Sequence, residues 1–200
     1  FVATPPWYSA TRTYPVLYIL DANYYFSAAR DIMHYIGRSS ALARGIIVGI
    51  GYPTNTHEAS QRRFHDLTPT KDSKQKQRTG GCDDFIRVLL DEIKPFIASR
   101  YKIDSGKQAI FGKSLGGLTV LRILLRNSEA FSHYVSASPS LYWDDRVIFK
   151  DLEQFAATTR RREETIRLLV TFGGSELERM KREATEITDS ISGLQSPKVD

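Results

Sequence analysis

Apolar residues along this chain gather in two kinds of run. Short continuous ones, rich in Val, Ile and Leu, occur at Pro15 to Leu20, Gly45 to Ile50, Lys107 to Phe111, His133 to Ala137 and Ile166 to Phe172. Runs that do not alternate with polar residues suit strands of a parallel sheet covered on both faces. Between them apolar positions return at helical spacing. In Asp83 to Ser99, Phe85, Leu89, Ile93, Phe96 and Ile97 share one face while Asp83, Asp84 and Asp91 stay polar, which predicts an amphipathic helix. Phe26 to Ile36, Leu115 to Arg126 and Glu178 to Ile191 read the same way, the last closed by Gly193 and Pro197 as stop signals.

Strands alternating with helices predict an α/β fold: a three-layer sandwich around a mostly parallel sheet, with right-handed crossovers. At 200 residues the chain fits one domain with a sizeable core. The stretch from Tyr52 to Gly81, carrying Pro53, Pro69 and Gly80-Gly81, is polar and long for a structureless loop. It leaves the C-terminal end of an expected strand, the edge at which open α/β sheets bind ligands.

Composition adds bounds. A hydrophobic fraction of 41% and a charged fraction of 26% describe an ordinary globular protein. The net charge of +5 is diffuse apart from Lys71 to Arg78 and Arg160 to Arg162, both in polar stretches that read as solvated surface. No nucleic-acid partner is expected, whereas an anionic small substrate stays open. The single cysteine, Cys82, makes no internal disulfide. No apolar run reaches the roughly 18 residues of a membrane span, and no signal peptide is visible. The chain begins at Phe1 rather than Met, so a processed or excised piece is expected and the compartment is unknown.

One motif carries chemistry. Gly112, Lys113, Ser114, Leu115 and Gly116 form G-x-S-x-G directly after the strand ending at Phe111 and directly before the helix from Leu115. That context makes a nucleophile elbow, a sharp strand-to-helix turn that exposes the serine Oγ and needs small residues on either side. Neither phosphate-loop glycine pattern is present. A serine needs a base, an orienting acid and donors for the oxyanion. Past the strand Ile166 to Phe172, Glu176 and Glu178 are both candidates for the acid, with a helix N-terminal charge as the alternative reading. The four histidines, His34, His57, His65 and His133, do not fit the order serine, acid, histidine. His133 opens a strand and belongs at the far end of the sheet. The expectation is therefore an incomplete domain over residues 1–200, lacking a final strand and the histidine loop.

Several longer runs make the match specific: Tyr14 to Asn23 (YPVLYILDAN), Gly49 to Pro53, Arg62 to Pro69 (RRFHDLTP), Gly80-Gly81, Asp91 to Pro95, Arg100-Tyr101, Gly112 to Gly117 and Ser138 to Trp143 (SPSLYW). Together and in order they resemble the esterase D-like family of α/β-hydrolase-fold esterases. Within it the chain looks most like the ferri-siderophore trilactone hydrolases.

The resemblance implies a serine esterase acting on siderophore esters or related small esters, without a metal or organic cofactor. It matches Ser114 to the nucleophile and the amides of Leu115 and Asn23 to the oxyanion hole. Glu178 matches the acid in a Gly-Glu-Leu-Glu pattern, although some members of the group work with a serine-histidine dyad. Arg63 and Trp143 are candidates for substrate binding, against readings as an ion pair with Asp66 and as core packing. Two departures stand out: Lys113 replaces the usual histidine before the serine, and Ala22 replaces the glycine of the oxyanion loop. Two other readings compete, an inactive binding protein on the same fold and an acyltransferase.

Overall fold

The computed structural model describes residues 1–39, 44–53, 57–158 and 167–194. A six-stranded sheet has the order β1-β3-β2-β4-β5-β6, formed by β1 (Val2–Ala3), β2 (Tyr14–Ile19), β3 (Ile46–Gly49), β4 (Ile103–Lys113), β5 (His133–Ala137) and β6 (Arg167–Thr171). All neighbouring pairs are parallel except β1 against β3. Four of the five expected strands keep nearly their expected bounds, and β4 begins four residues earlier than expected. Strand β1 was not anticipated: two residues carry no periodicity.

Helices α1 (Ala22–Ser39), α2 (His57–Asp66), α3 (Cys82–Val88), α4 (Lys94–Arg100), α5 (Leu115–Arg126), α6 (Ile148–Thr158) and α7 (Glu178–Ser192) complete the fold. The expected helix from Asp83 to Ser99 is interrupted by a π-helical stretch, Leu89–Ile93, closed by the Lys94 amide donating to the Leu89 carbonyl. Pro95 supplies the reason, since its ring clashes with an α-helical carbonyl four residues back and it has no N–H to donate. Two helices were missed. Helix α2 lies inside the expected Tyr52 to Gly81 loop and is too polar to show an apolar face, with Ala59 its one buried residue. Helix α6 was also overlooked. Arg160 to Arg162, Ile166 and Pro197 lie outside the described residues.

Helix α5 is buried from Leu115 through Leu125, so its sequence is apolar nearly all round, as a central helix requires. Its one buried charge, Arg122, donates to Asp83 of α3 at 2.8 Å and to Asp151 of α6 at 2.6 Å, tying three helices together. Cys82 sits beside this cluster, and burial pushes its thiol up to about 12. The position of the site follows from the strand order. From β2 the chain crosses one way to β3 and then returns to the other side of β2 to form β4. The ends of β2 and β4 thus diverge, opening a crevice where loops from both strands meet.

Candidate active site

Ser114 stands at the end of β4, at that crevice. Its backbone has φ 58° and ψ −118°, a conformation that costs a non-glycine residue about 1–3 kcal/mol unless its surroundings impose it. They do. The Ser114 amide donates to the Ala137 carbonyl at 3.0 Å, and its carbonyl accepts from Leu118 at 3.0 Å and from Ser140 at 3.1 Å. The glycines have a steric reason: a Cβ on Gly112 would lie 2.3 Å from the Gly116 carbonyl oxygen, and one on Gly117 would lie 3.0 Å from that of Ala137. The turn closes only because these positions are bare. Ser114 then caps α5, whose first-turn amides have no carbonyl of their own helix to bind and favour negative charge.

The residues after β2 meet the same point. Leu20 donates its amide to Phe111 of β4 at 2.9 Å, and Ala22 donates to Ile50 beyond β3 at 3.0 Å. Asp21 between them has φ 55°, so the left-handed residue of this turn is the aspartate and not Ala22. Ala22 replaces glycine without backbone strain, and its Cβ uses the room left at Gly49, where an added Cβ would lie 2.7 Å away. Helix α1 starts at Ala22, earlier than expected, which places Asn23 in its first turn. The Asn23 side chain bonds the Tyr52 backbone twice: Nδ2 donates to the Tyr52 carbonyl at 2.9 Å and Oδ1 accepts the Tyr52 amide at 2.8 Å. Burial, then the charges of Asp66 and Asp21, push the Tyr52 phenol upward.

An open cleft of ≈ 380 Å³ lies over Ser114, lined among others by Arg63, Lys74, Ser140, Tyr142 and Trp143. Its charge is mixed, because Asp72, Asp144 and Asp145 also face it. Arg63 is not paired with Asp66 as one reading had it. Its Nε and Nη2 donate to the two Asp21 oxygens at 2.7 and 2.8 Å, while Asp66 accepts from His65 Nδ1 at 2.8 Å. Burial alone would lower the Arg63 guanidinium, but the bonds and charge of Asp21 outweigh it and hold it above its ordinary value. Trp143 joins both of its readings: it is 5% exposed within the core, its Nε1 donates to Thr70 at 3.3 Å, and its edge lines the cleft. Lys113 is exposed beside Ser114.

The two glutamates separate. Glu178 has a side chain 86% exposed and pairs with Lys181, so the structure does not bring it toward Ser114. Glu176 turns inward, accepting from Ser138 Oγ at 2.6 Å, with its Oε2 buried and without a hydrogen-bond partner. Ser140, two residues past Ser138, lies with its Oγ 3.1 Å from that of Ser114. The Ser138-Pro139-Ser140 turn therefore bridges Glu176 and Ser114, a link that sequence reasoning missed. Among the described residues no histidine bonds Ser114. His133 lies at the N-terminal end of β5 as expected, between Ser132 Oγ and Arg167, and burial followed by the Arg167 charge lowers its pKa. His34 reaches the Thr4 carbonyl at 3.3 Å, and His57 and His65 sit on α2 rather than in a loop.

Known proteins resemble this chain along nearly its whole length. The model of the family described as "Putative esterase" matches residues 1–196. Ferri-bacillibactin esterase BesA of Bacillus subtilis is 34% identical over 97% of this chain and 72% of its own length. Siderophore triacetylfusarinine C esterase of Aspergillus fumigatus is 31% identical over 88% of this chain and 61% of its own. The crystal structure of the BES protein from Bacillus cereus superposes with a TM-score of 0.85 at 31% identity, covering 100% of this chain and 77% of that one.

Proposed function

This chain belongs to the Putative esterase family, and from that membership we propose a serine esterase, built on the α/β-hydrolase fold, in which Ser114 forms an acyl-enzyme. In the proposed reaction Ser114 Oγ attacks the ester carbonyl carbon and its proton passes to a general base. The tetrahedral oxyanion rests on the amides of Leu115 and Asn23, each donor contributing roughly 3 kcal/mol. The alkoxide then leaves with the proton, and water releases the acid by the same steps in reverse order. The observation that carries this reading is the elbow itself, Ser114 at φ 58° on the crevice between β2 and β4 under an open cleft.

For the acid, Glu176 suits the role better than Glu178, since it points inward and connects to Ser114 through the Ser138 to Ser140 turn. Among the described residues no hydrogen bond joins a histidine to Ser114, His34, His65 and His133 each bond elsewhere, and none of the four fits the order serine, acid, histidine, so we propose a base from outside them. The chain spans 72% and 61% of the length of its Bacillus subtilis and Aspergillus fumigatus relatives, and we propose that a histidine outside these 200 residues supplies the base. For substrate, the named activities of those relatives point to ester bonds of siderophores. The mixed charge of the cleft fits a large substrate that meets both Lys74 and the aspartates.

The test is hydrolysis of p-nitrophenyl butyrate and of a ferric trilactone siderophore by the full-length protein that carries this sequence, beside its Ser114→Ala variant. Cleavage that falls about 10³-fold or more in the variant is the expected result. Cleavage that survives Ser114→Ala overturns the nucleophile. A folded protein that cleaves neither ester favours the binding-protein reading.

A further inference from the structure

The Asp21 turn beside the proposed oxyanion site holds a shape its own residues do not favour. Asp21 is left-handed without being glycine, and its carboxylate is only 3% exposed. Its Oδ2 lies against the first turn of α5, where a Cβ added to Gly116 would be 3.3 Å away. A buried carboxylate so close to Leu115 opposes any negative charge that develops there, unless a cation compensates it. Arg63 supplies both requirements. Its two parallel bonds to Asp21 fix the turn, and its charge cancels the carboxylate. Helix α2, which carries Arg63, also carries Asp66, whose charge acts on the Tyr52 phenol, and the Tyr52 backbone is clamped by the Asn23 side chain. One polar helix thus grips the Asp21 to Asn23 turn through the paired bonds from Arg63.

We propose that Arg63 is a positioning residue for the oxyanion loop rather than a receptor for a substrate anion. It acts through Asp21, holding the turn so that the Asn23 amide stays aimed and keeping the Asp21 charge from opposing the oxyanion. The electrostatic half of this role rests on the esterase reading given above. The turn-holding half does not.

The experiment compares the wild-type chain with Arg63→Gln and Arg63→Lys by amide hydrogen exchange. The reporters are the Ala22 amide, bonded to Ile50, and the Tyr24 amide, bonded to Asp21. Arg63→Gln is expected to speed exchange at both by 10-fold or more while Val120 and Leu121 in the core of α5 keep wild-type rates. Arg63→Lys, which keeps charge but loses the two-pronged geometry, should protect them only partly. If Arg63→Gln loosens the whole chain, the comparison is read from Arg63→Lys. Wild-type exchange at Ala22 and Tyr24 in the folded variants overturns the proposal.

Kinetics of the full-length protein supply the second arm, using neutral p-nitrophenyl butyrate and anionic p-nitrophenyl hemisuccinate. A positioning role lowers kcat about 10-fold or more for both esters in Arg63→Gln with KM within about threefold, and Arg63→Lys regains part of it. A rise in KM confined to the anionic ester overturns the proposal in favour of anion binding. If wild type cleaves neither ester, the esterase reading fails, and exchange at Ala22 and Tyr24 still decides whether Arg63 holds the turn.

Discussion

Ser114 keeps a strained backbone because its neighbours leave it no alternative. Three backbone hydrogen bonds converge on it, and Gly112 packs so close to the Gly116 carbonyl that a Cβ on Gly112 would lie 2.3 Å from it. The same geometry makes glycines unequal. In Gly112→Ala the new methyl meets backbone, which does not yield, so the variant should lose about 3 kcal/mol of stability in urea titration and open the elbow. Gly174→Ala, where nothing stands within 4 Å, should stay within about 0.5 kcal/mol of wild type. A larger loss in Gly174→Ala than in Gly112→Ala would show that steric crowding does not govern the elbow. Arg63 teaches the opposite lesson at this scale: its residue type was visible as a candidate, but its partner, Asp21, is 42 positions away and emerged only from folding.

At the scale of elements, helices α3, α5 and α6 are joined by Asp83, Arg122, Arg126 and Asp151. The hydrogen bond from Arg122 holds the Asp83 carboxyl below its ordinary value of 3.8, with the Arg122 and Arg126 charges acting in the same direction against a smaller effect of burial. A carboxylate with a lowered folded pKa contributes stability that is complete above the unfolded value and is lost as pH falls through the folded one. The stability difference between wild type and Asp83→Asn should therefore be constant from pH 7 to about 5 and shrink as pH drops below about 4. Thermal melts across that range read it, and a difference that grows in acid would contradict the pairing. Because Asp83 is 60% exposed on its side chain, solvent screening keeps the whole effect modest. Helix α2 shows what periodicity misses, since its value to the fold lies in the paired bonds from Arg63 to Asp21 rather than in an apolar face.

Across the whole molecule, the order of strands converts two local turns into one site. Ser114 follows β4 and Asp21 to Asn23 follow β2, and these strands are hydrogen-bonded neighbours only because β4 returns past β2 on the side away from β3. The other consequence of the topology lies at the edge. Among the described residues β6 has one paired side, to β5, and Leu169, Phe172 and Leu177 around it are 55%, 43% and 67% exposed. An exposed apolar edge strand templates pairing with another chain. The 200-residue chain should self-associate with rising concentration, and Leu169→Lys should shift sedimentation toward monomer by placing a charge on that edge. Association unchanged by Leu169→Lys would move the contact elsewhere.

Local patterns by themselves determined the strands β2 to β6, the helices α5 and α7, and the elbow at Ser114, because each is specified by residues within a few positions of one another. The runs that resemble the esterase family added Leu115 and Asn23 as proposed oxyanion donors. Tertiary structure alone decided that Arg63 clamps Asp21, that Glu176 rather than Glu178 turns inward, that Trp143 serves core and cleft together, and that Asp72, Asp144 and Asp145 line the cleft over the serine. The reason is physical. Hydrophobic periodicity and turn chemistry act between near neighbours, whereas charge pairing and the burial of a polar group depend on which distant residues the packed sheet brings within about 3 Å.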